Sequence, residues 1–393
     1  VDLILVNPQD PEWALRLGRT LRNANRYDLI ERFCEIVDKI QIFPNISLIL
    51  RAMVALNQGE ARQGLQLLDR VSPKHIPQSG PVTIVSLKAE LMEHLGRFEE
   101  AYRSYCKQNK LMRGPGFDTS VFRDRTKAKA EAKIEDAGPD ERTDHYLMLG
   151  FPRSGTTLLE NALASHPEIE TFEEISALGS LSQFFFTRSE SGTNSFGRNF
   201  TLQARARYYR EIDRHKNKPG AKVFIDKLPI ASADAKFFGK IFPGKRYIFS
   251  IRHPYDVVLS CFKQAFTPNA AMDNFTTFAD SCRIYDFVMN EWFGTFSLDS
   301  EDVCYIRYDR LVTDLKTEIS RALSFVGLDW NEEILEFAQR AEERRVKTPS
   351  YAKVRSGLSL GVQSGWRNYE FLFRTADARP LDRWVKLFGY EGL

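Results

Sequence analysis

"YLMLGFPRSGTTLLENALASHPEI", residues 146–169, carries three kinds of sequence in one line. Residues 146–151 form a short apolar run, the length of a buried strand. A turn follows, and from Thr156 to Ser165 small and apolar residues recur at helical spacing. Strand, glycine turn and helix in that order open a parallel βαβ unit. The turn starts like a nucleotide loop, with Gly150 and Gly155 in a G-x-x-x-x-G pattern, but Thr156 stands where such a loop carries lysine. Gly155 permits a tight bend, and successive N–H groups at the helix start can form an anion nest. Thr156 and Thr157 add hydroxyl donors, and Arg153 offers the charge that the lysine would have brought. A plain strand-to-helix turn capped by Ser or Thr is the other reading.

The same grammar continues. "KVFIDK" (222–227), "RYIFSI" (246–251) and "VCYIRY" (303–308) are further apolar runs, with helical stretches at 231–241, 255–266 and 311–325 between and after them. Alternating buried strands and helices predict an α/β domain over 145–393, a parallel sheet with helices on both faces. Ligands of such sheets bind outside the carboxyl ends of the strands. Those ends carry chemistry here. Lys227 reads as a solvated lysine or as a catalytic ammonium. Arg252 presents a guanidinium fork matched to phosphate, and Ser260 follows two helical turns later. Tyr308 packs in the core or on a nucleotide base. Arg153, Lys227, Arg252 and Tyr308 together describe a pocket for a nucleotide with phosphates at two separate places.

Residues 1–113 read as helix only. "ANRYDLIERFCEIVDKI", "NQGEARQGLQLLDRVSP" and "HLGRFEEAYRSYCKQN" share a turn residue followed by helical apolar spacing. Asn25, Gln58 and Gly96 recur at intervals close to the 34-residue helix–turn–helix repeat called TPR. An all-α, TPR-like repeat domain is expected, with an irregular helical domain as the alternative. Such stacks present concave faces to partners. Residues 114–144 read as a polar helical connector. Net charge is +3, with 43% hydrophobic and 27% charged residues, so wholesale nucleic-acid binding is not expected. No apolar run has transmembrane length, and the start lacks the basic region of a signal peptide. Five scattered cysteines without a C-x-x-C pattern suggest free thiols in a reducing, cytoplasmic setting.

"FPRSGTTLLENALASHPEI" together with "YIFSIRHPYDVVLSCF" resembles the sulfotransferases that use 3′-phosphoadenosine 5′-phosphosulfate (PAPS). The resemblance covers about 145–393, and the helical front end resembles bacterial TPR-sulfotransferase fusions. It implies PAPS as donor and adenosine 3′,5′-bisphosphate (PAP) as product, with no metal needed where Arg and Lys supply the charge. Pro152, Arg153, Ser154, Gly155, Thr156 and Thr157 would form the 5′-phosphosulfate loop. Arg252 and Ser260 would hold the 3′-phosphate, and Tyr308 would lie against the nucleotide. "HPEIETFEE" resembles the tyrosylprotein sulfotransferases, which makes Glu174 the catalytic base, with Glu173 second and His166 a rival. "DKLP" places Lys227 as the catalytic lysine. "TPSYAKVRSG" implies cofactor contacts from Ser350 and Arg355. Ile175-Ser176 departs from the residues that follow the base in that group, and the acceptor stays open among peptide tyrosine, glycan and small-molecule alcohol. Without the resemblance, Glu173-Glu174 also reads as an acidic pair at a helix start. A P-loop kinase or NTPase, with Asp226 as the nearest magnesium ligand, and a TPR scaffold on an inactive transferase domain are the competing readings.

Overall fold

The computed structural model describes residues 10–39, 43–74, 76–114, 116–189, 192–336 and 365–392. The chain forms two compact units. The first comprises residues 1–117 with 262–277 and 367–371, and the second comprises 118–261, 278–366 and 372–393.

The first unit is built from three helical hairpins: α1 (Pro11–Asn23) with α2 (Tyr27–Lys39), α3 (Pro44–Asn57) with α4 (Ala61–Asp69), and α5 (Gly80–His94) with α6 (Phe98–Met112). Each hairpin turns the same way. Asn25, Gly59 and Gly96 take left-handed backbone, with φ of 54°, 77° and 71°. In each case the next residue's N–H reaches back five residues, Arg26 to Leu21, Glu60 to Ala55 and Arg97 to Met92, at 2.8, 2.8 and 2.9 Å. This is the helix-ending Schellman motif, which favours Gly or Asn at its left-handed position. The equivalent turn positions are therefore 25, 59 and 96. Gly59, not Gln58, is the repeat marker, because the left-handed residue defines the turn. Leu15, Ile30, Phe33, Ile49, Leu50, Met53, Leu87 and Leu91 form the core of this unit. Residues 262–277 and 367–371 are tied to α5 and α6. Asn109 Nδ2 donates to the carbonyls of Phe262 (2.8 Å) and Phe275 (3.3 Å). Glu93 accepts from Tyr105 (3.0 Å), Tyr369 (2.5 Å) and Lys263.

The second unit carries a five-stranded sheet in which every pairing is parallel. Its early elements are α7 (Val121–Glu131), β1 (Lys133–Ile134), β2 (His145–Gly150), α8 (Thr156–Ala164), β3 (Ile169–Glu173), α9 (Ala177–Ser189), β4 (Ser195–Phe196) and α10 (Arg198–His215). Then come β5 (Val223–Lys227), α11 (Ala235–Ile241), β6 (Tyr247–Ile251), α12 (Pro254–Lys263), α13 (Phe278–Phe293), β7 (Val303–Arg307), α14 (Tyr308–Thr313) and α15 (Leu315–Val326). Sheet order is β3-β5-β2-β6-β7, and β1 pairs only with β4. The first large strand, β2, lies in the middle. The chain runs to one side for β3 and β5, then to the other for β6 and β7. The loop after β2 therefore stands where the winding reverses, the place where open parallel sheets bind ligands. Met148, Leu159, Leu163, Ile225, Ile248, Ile306 and Leu323 form the core on one side of the sheet.

Two features differ from the sequence reading. β3 was not anticipated, because "IETFE" intersperses acids that depress strand propensity; it is buried at Ile169, Glu170 and Phe172 nonetheless. Glu173 and Glu174 thus stand at a strand end and not at a helix start. The stretch at 231–241 begins as a tight 3₁₀ turn over Pro229–Asp234 before α11 starts at Ala235.

Candidate active site

The loop after β2 is held from three sides. Ser232 Oγ donates to the Gly150 carbonyl at 2.5 Å, Ser250 Oγ to that of Ser154 at 2.9 Å, and Cys261 Sγ to that of Pro152 at 3.2 Å. Arg153 has φ 72° and Gly155 φ 97°. Left-handed backbone is costly for a residue with a Cβ and persists where surroundings impose it, often at functional sites. Gly155 has a second constraint: a Cβ there would lie 2.2 Å from Tyr308 Cδ2. The tyrosine can approach the loop only because position 155 lacks a side chain. From Gly155 the chain enters α8, whose first-turn N–H groups lack intrahelical acceptors by geometry and attract anions. Thr156 and Thr157 are buried in that turn.

Two guanidinium groups converge beside the loop. Arg153 Nε donates to Ser260 Oγ at 3.0 Å, and Arg252 Nη1 donates to the Arg153 carbonyl at 3.2 Å. The Arg252 guanidinium lies 4.6 Å from the centre of the Tyr308 ring, within cation–π range. Burial lowers the Arg153 pKa from its usual value, and the Arg252 charge adds to that; arginine stays protonated regardless. Ser154 Oγ and Arg252 Nε are buried donors with no hydrogen-bond partner among the described residues. Uncompensated donors and paired positive charge in one place are what a bound polyanion would satisfy.

On the other neighbour of β2, Lys227 closes β5 and is fully buried. Three carboxylates surround its ammonium: Glu173 Oε1 at 3.1 Å, Glu160 Oε2 at 3.2 Å and Glu174 Oε1 at 3.5 Å. Burial opposes the ammonium, but the charges of Glu160, Glu173 and Glu174 outweigh it and raise the Lys227 pKa. Glu174 has φ 49°, and its N–H donates to the Lys227 carbonyl at 3.0 Å. The backbone bends left-handed there as it leaves the sheet, which keeps the two residues adjacent. The Glu174 side chain is 45% exposed, against 17% for Glu173. A cavity of about 600 Å³ opens beside this cluster, lined by Glu160, Thr171, Phe172, Glu173, Ile175 and His215 among others.

The anticipated residues thus fall into two groups on the strands flanking β2. Arg153, Ser260, Arg252 and Tyr308 gather on the β6 side, and Lys227 with Glu173 and Glu174 on the β5 side. His166 lies away from both; its Nε2 is 3.2 Å from the Asp329 carbonyl, beyond the start of β3. Ser350 and Arg355 lie outside the described residues. Asp226 is buried within the sheet, and burial pushes its pKa up to about 7. Sequence reasoning missed Glu160, although an acid amid "TLLENALA" was a readable signal.

A parallel sheet with a glycine loop and helix start at its switch point, flanked by strand ends bearing Arg and Lys, defines a class of anion-handling α/β domains. Within that class, residues 147–332 match the family described as Sulfotransferase family. An uncharacterized protein of Aquifex aeolicus (strain VF5) is 26% identical over 240 residues, covering 57% of this chain and 30% of that protein. Protein-tyrosine sulfotransferase 1 of Danio rerio is 25% identical over 197 residues, covering 47% of this chain and 54% of that one. The chain therefore spans about a third and about half of these relatives' lengths. Among solved structures, the sulfotransferase domain from the Synechococcus PCC 7002 olefin synthase aligns with a TM-score of 0.43 at 19% identity, over 65% of this chain and 99% of that one. Mouse sulfotransferase SULT7A1 complexed with PAP aligns with a TM-score of 0.35 at 14% identity, over 62% and 90%. Among the described residues no helix is long and apolar enough to cross a membrane.

Proposed function

We propose that the second unit transfers a sulfuryl group from PAPS to a hydroxyl acceptor, with Glu174 as the base. The observation that carries this reading is the Lys227–Glu173–Glu174 cluster on one side of the β2 loop and the Arg153–Ser260–Arg252 cluster on the other. PAPS, when bound, supplies an already activated sulfuryl group, so the protein's tasks are holding, aligning and neutralising charge. The loop amides with Ser154, Thr156 and Thr157 hold the 5′-phosphosulfate, and Pro152 and Gly155 shape the loop. Arg252 and Ser260 hold the 3′-phosphate, with Tyr308 packed under Arg252. Arg153 and Lys227 offset charge at the sulfuryl and bridging oxygens. Glu174 takes the proton from the acceptor hydroxyl as attack proceeds, because a phenol or sugar hydroxyl is far less acidic than the carboxylic acid.

The likeness to a protein-tyrosine sulfotransferase makes peptide tyrosine one acceptor class to test, beside glycans and small alcohols. The three helical hairpins act as a TPR-like surface for a protein partner or a second copy. Five unpaired cysteines fit a cytoplasmic setting. A kinase reading asks Asp226 to hold magnesium, and its burial between strands opposes that. Calorimetry separates the two: this reading predicts tight, magnesium-independent binding of PAP and weak binding of ATP, whereas tighter, magnesium-dependent ATP binding contradicts it.

A further inference from the structure

Glu160 takes no part in the chemistry above, yet it is a carboxylate in the middle of a fully buried helix, itself 5% exposed. A carboxylate is withdrawn from water at high cost unless it is paired and hydrogen-bonded. Both conditions are met. Glu160 Oε1 accepts from Thr171 Oγ1 at 3.1 Å, and Oε2 stands 3.2 Å from the Lys227 ammonium. Burial holds the Glu160 pKa above the usual carboxylate value, with the Lys227 charge opposing it in part.

Its two companions at Lys227 are different in kind. Glu173 and Glu174 sit at the end of β3, with the Glu174 side chain 45% exposed, whereas Glu160 is fixed to a helix and to Thr171. A base must keep its lone pair available. A close ion pair with Lys227 would lower the basicity of Glu174. The observed order of distances, 3.1 and 3.2 Å to Glu173 and Glu160 against 3.5 Å to Glu174, leaves Glu174 the loosest partner. The position on α8 adds a second consequence. Glu160 follows Thr156 by one helical turn, so one rigid helix presents its start to the anion and fixes the lysine that serves the same anion.

Building on the sulfuryl-transfer reading, we propose that Glu160 is a positioning residue: it anchors the Lys227 ammonium in register with the β2 loop and keeps it from closing onto Glu174. The groups facing Lys227 are Glu160 from α8 and Glu173 and Glu174 from the end of β3. Asp226 is its neighbour on β5 and interacts electrostatically with it, with Tyr208 of α10 beside Asp226.

The test uses the full chain and three variants. Glu160→Gln keeps shape and removes charge, Glu160→Asp keeps charge, and Thr171→Val removes the hydroxyl that holds Oε1. PAP affinity is read by calorimetry, and kcat and KM for PAPS with whichever of a simple phenol, a tyrosyl peptide and a glycan the wild type sulfates. The Lys227 titration is followed by NMR of ¹³C-lysine-labelled protein saturated with PAP. Glu160→Gln should leave PAP affinity unchanged and lower kcat about 10- to 100-fold, the usual range for a residue that orients an active group. Removing a negative neighbour lowers an ammonium's pKa, so the Lys227 midpoint and the alkaline limb of the rate profile should both move to lower pH. Glu160→Asp should recover part of each. Wild-type kcat and an unmoved Lys227 midpoint in Glu160→Gln would overturn the proposal. Should that variant fail to fold, Thr171→Val must lower kcat at unchanged PAP affinity, and wild-type kcat there overturns it equally. Absence of transfer from PAPS by the wild type would instead defeat the underlying functional reading, a separate result.

Discussion

Lys227 shows why single residues at this site resist reading one at a time. A lysine at a strand end is ordinarily solvated, but this one is fully buried among three carboxylates. Its strand-end position was legible in "KVFIDK", while the company it keeps depends on β3, which its acidic residues concealed. Arg252 was legible for a simpler reason: an arginine directly after an apolar run has nowhere to go except the sheet edge, and Arg153 and Ser260 were read from the glycine turn and from helical spacing. Two predictions belong at this scale. Glu174→Gln should reduce kcat by about 10²- to 10⁴-fold, the usual contribution of a general base, with PAP binding intact; steady-state kinetics beside calorimetry would show it, and near-normal turnover would remove Glu174 from its role. Arg252→Ala should weaken PAP by about 1.5–3 kcal/mol, the worth of a hydrogen bond to a charged group. The same variant should bind adenosine 5′-phosphosulfate, which lacks the 3′-phosphate, as the wild type does. Equal loss for both ligands would place Arg252 elsewhere on the nucleotide.

At the scale of elements, the β2–loop–α8 unit is where sequence and structure agree most closely, because every residue type there has a local reason. Gly155 illustrates it. Its φ of 97° and the 2.2 Å approach of Tyr308 leave no room for a methyl group. Gly155→Ala should therefore displace the Tyr308 ring, weaken PAP binding and lower the unfolding midpoint in urea. A variant that binds PAP normally would show that the loop tolerates a different path. The helical hairpins were legible as hairpins, but their register was off by one residue at Gln58. The marker is the left-handed residue ending the first helix of each pair, and only backbone geometry identifies it. Gly96→Ala should cost about 1–2 kcal/mol through left-handed strain, read as a shift of the same midpoint.

Across the whole molecule, the two grammars of the sequence, helix-only followed by alternating strand and helix, correspond to two compact units. Their membership was less legible. Residues 262–277 and 367–371 belong with the helical unit, through contacts such as Glu93 with Tyr369 that join residues hundreds of positions apart. No local pattern encodes such pairings. Stability against acid is a property of the whole fold and has an identifiable source in the second unit. His145, the buried first residue of β2, has its pKa lowered from 6.5 to about 4 by burial. Asp140, paired with Lys245 at 2.6 Å, has its pKa lowered as well: burial opposes its charge, but the Lys245 charge together with hydrogen bonds from Lys245 and Tyr209 outweighs it. A group whose folded pKa is depressed contributes stability above its unfolded pKa and loses it as pH falls through the folded value. The unfolding midpoint should thus fall as pH drops from 6.5 towards about 4 through His145, with Asp140 adding to the loss only below 3.8, and His145→Phe should flatten the dependence above pH 4. An unaltered slope in the variant would assign acid sensitivity to other groups.

The central claim is sulfuryl transfer from PAPS through Glu174 and Lys227. The most direct measurement incubates ³⁵S-labelled PAPS with the full chain and a panel of tyrosyl peptides, phenols and glycans, then follows label and PAP together. The account predicts label in a sulfated product with one PAP released per sulfate transferred, reduced about 10²- to 10⁴-fold in Glu174→Gln and strongly reduced in Lys227→Met while both still bind PAP. Transfer that survives undiminished in both variants, or transfer of the terminal phosphate of ATP in its place, would contradict it.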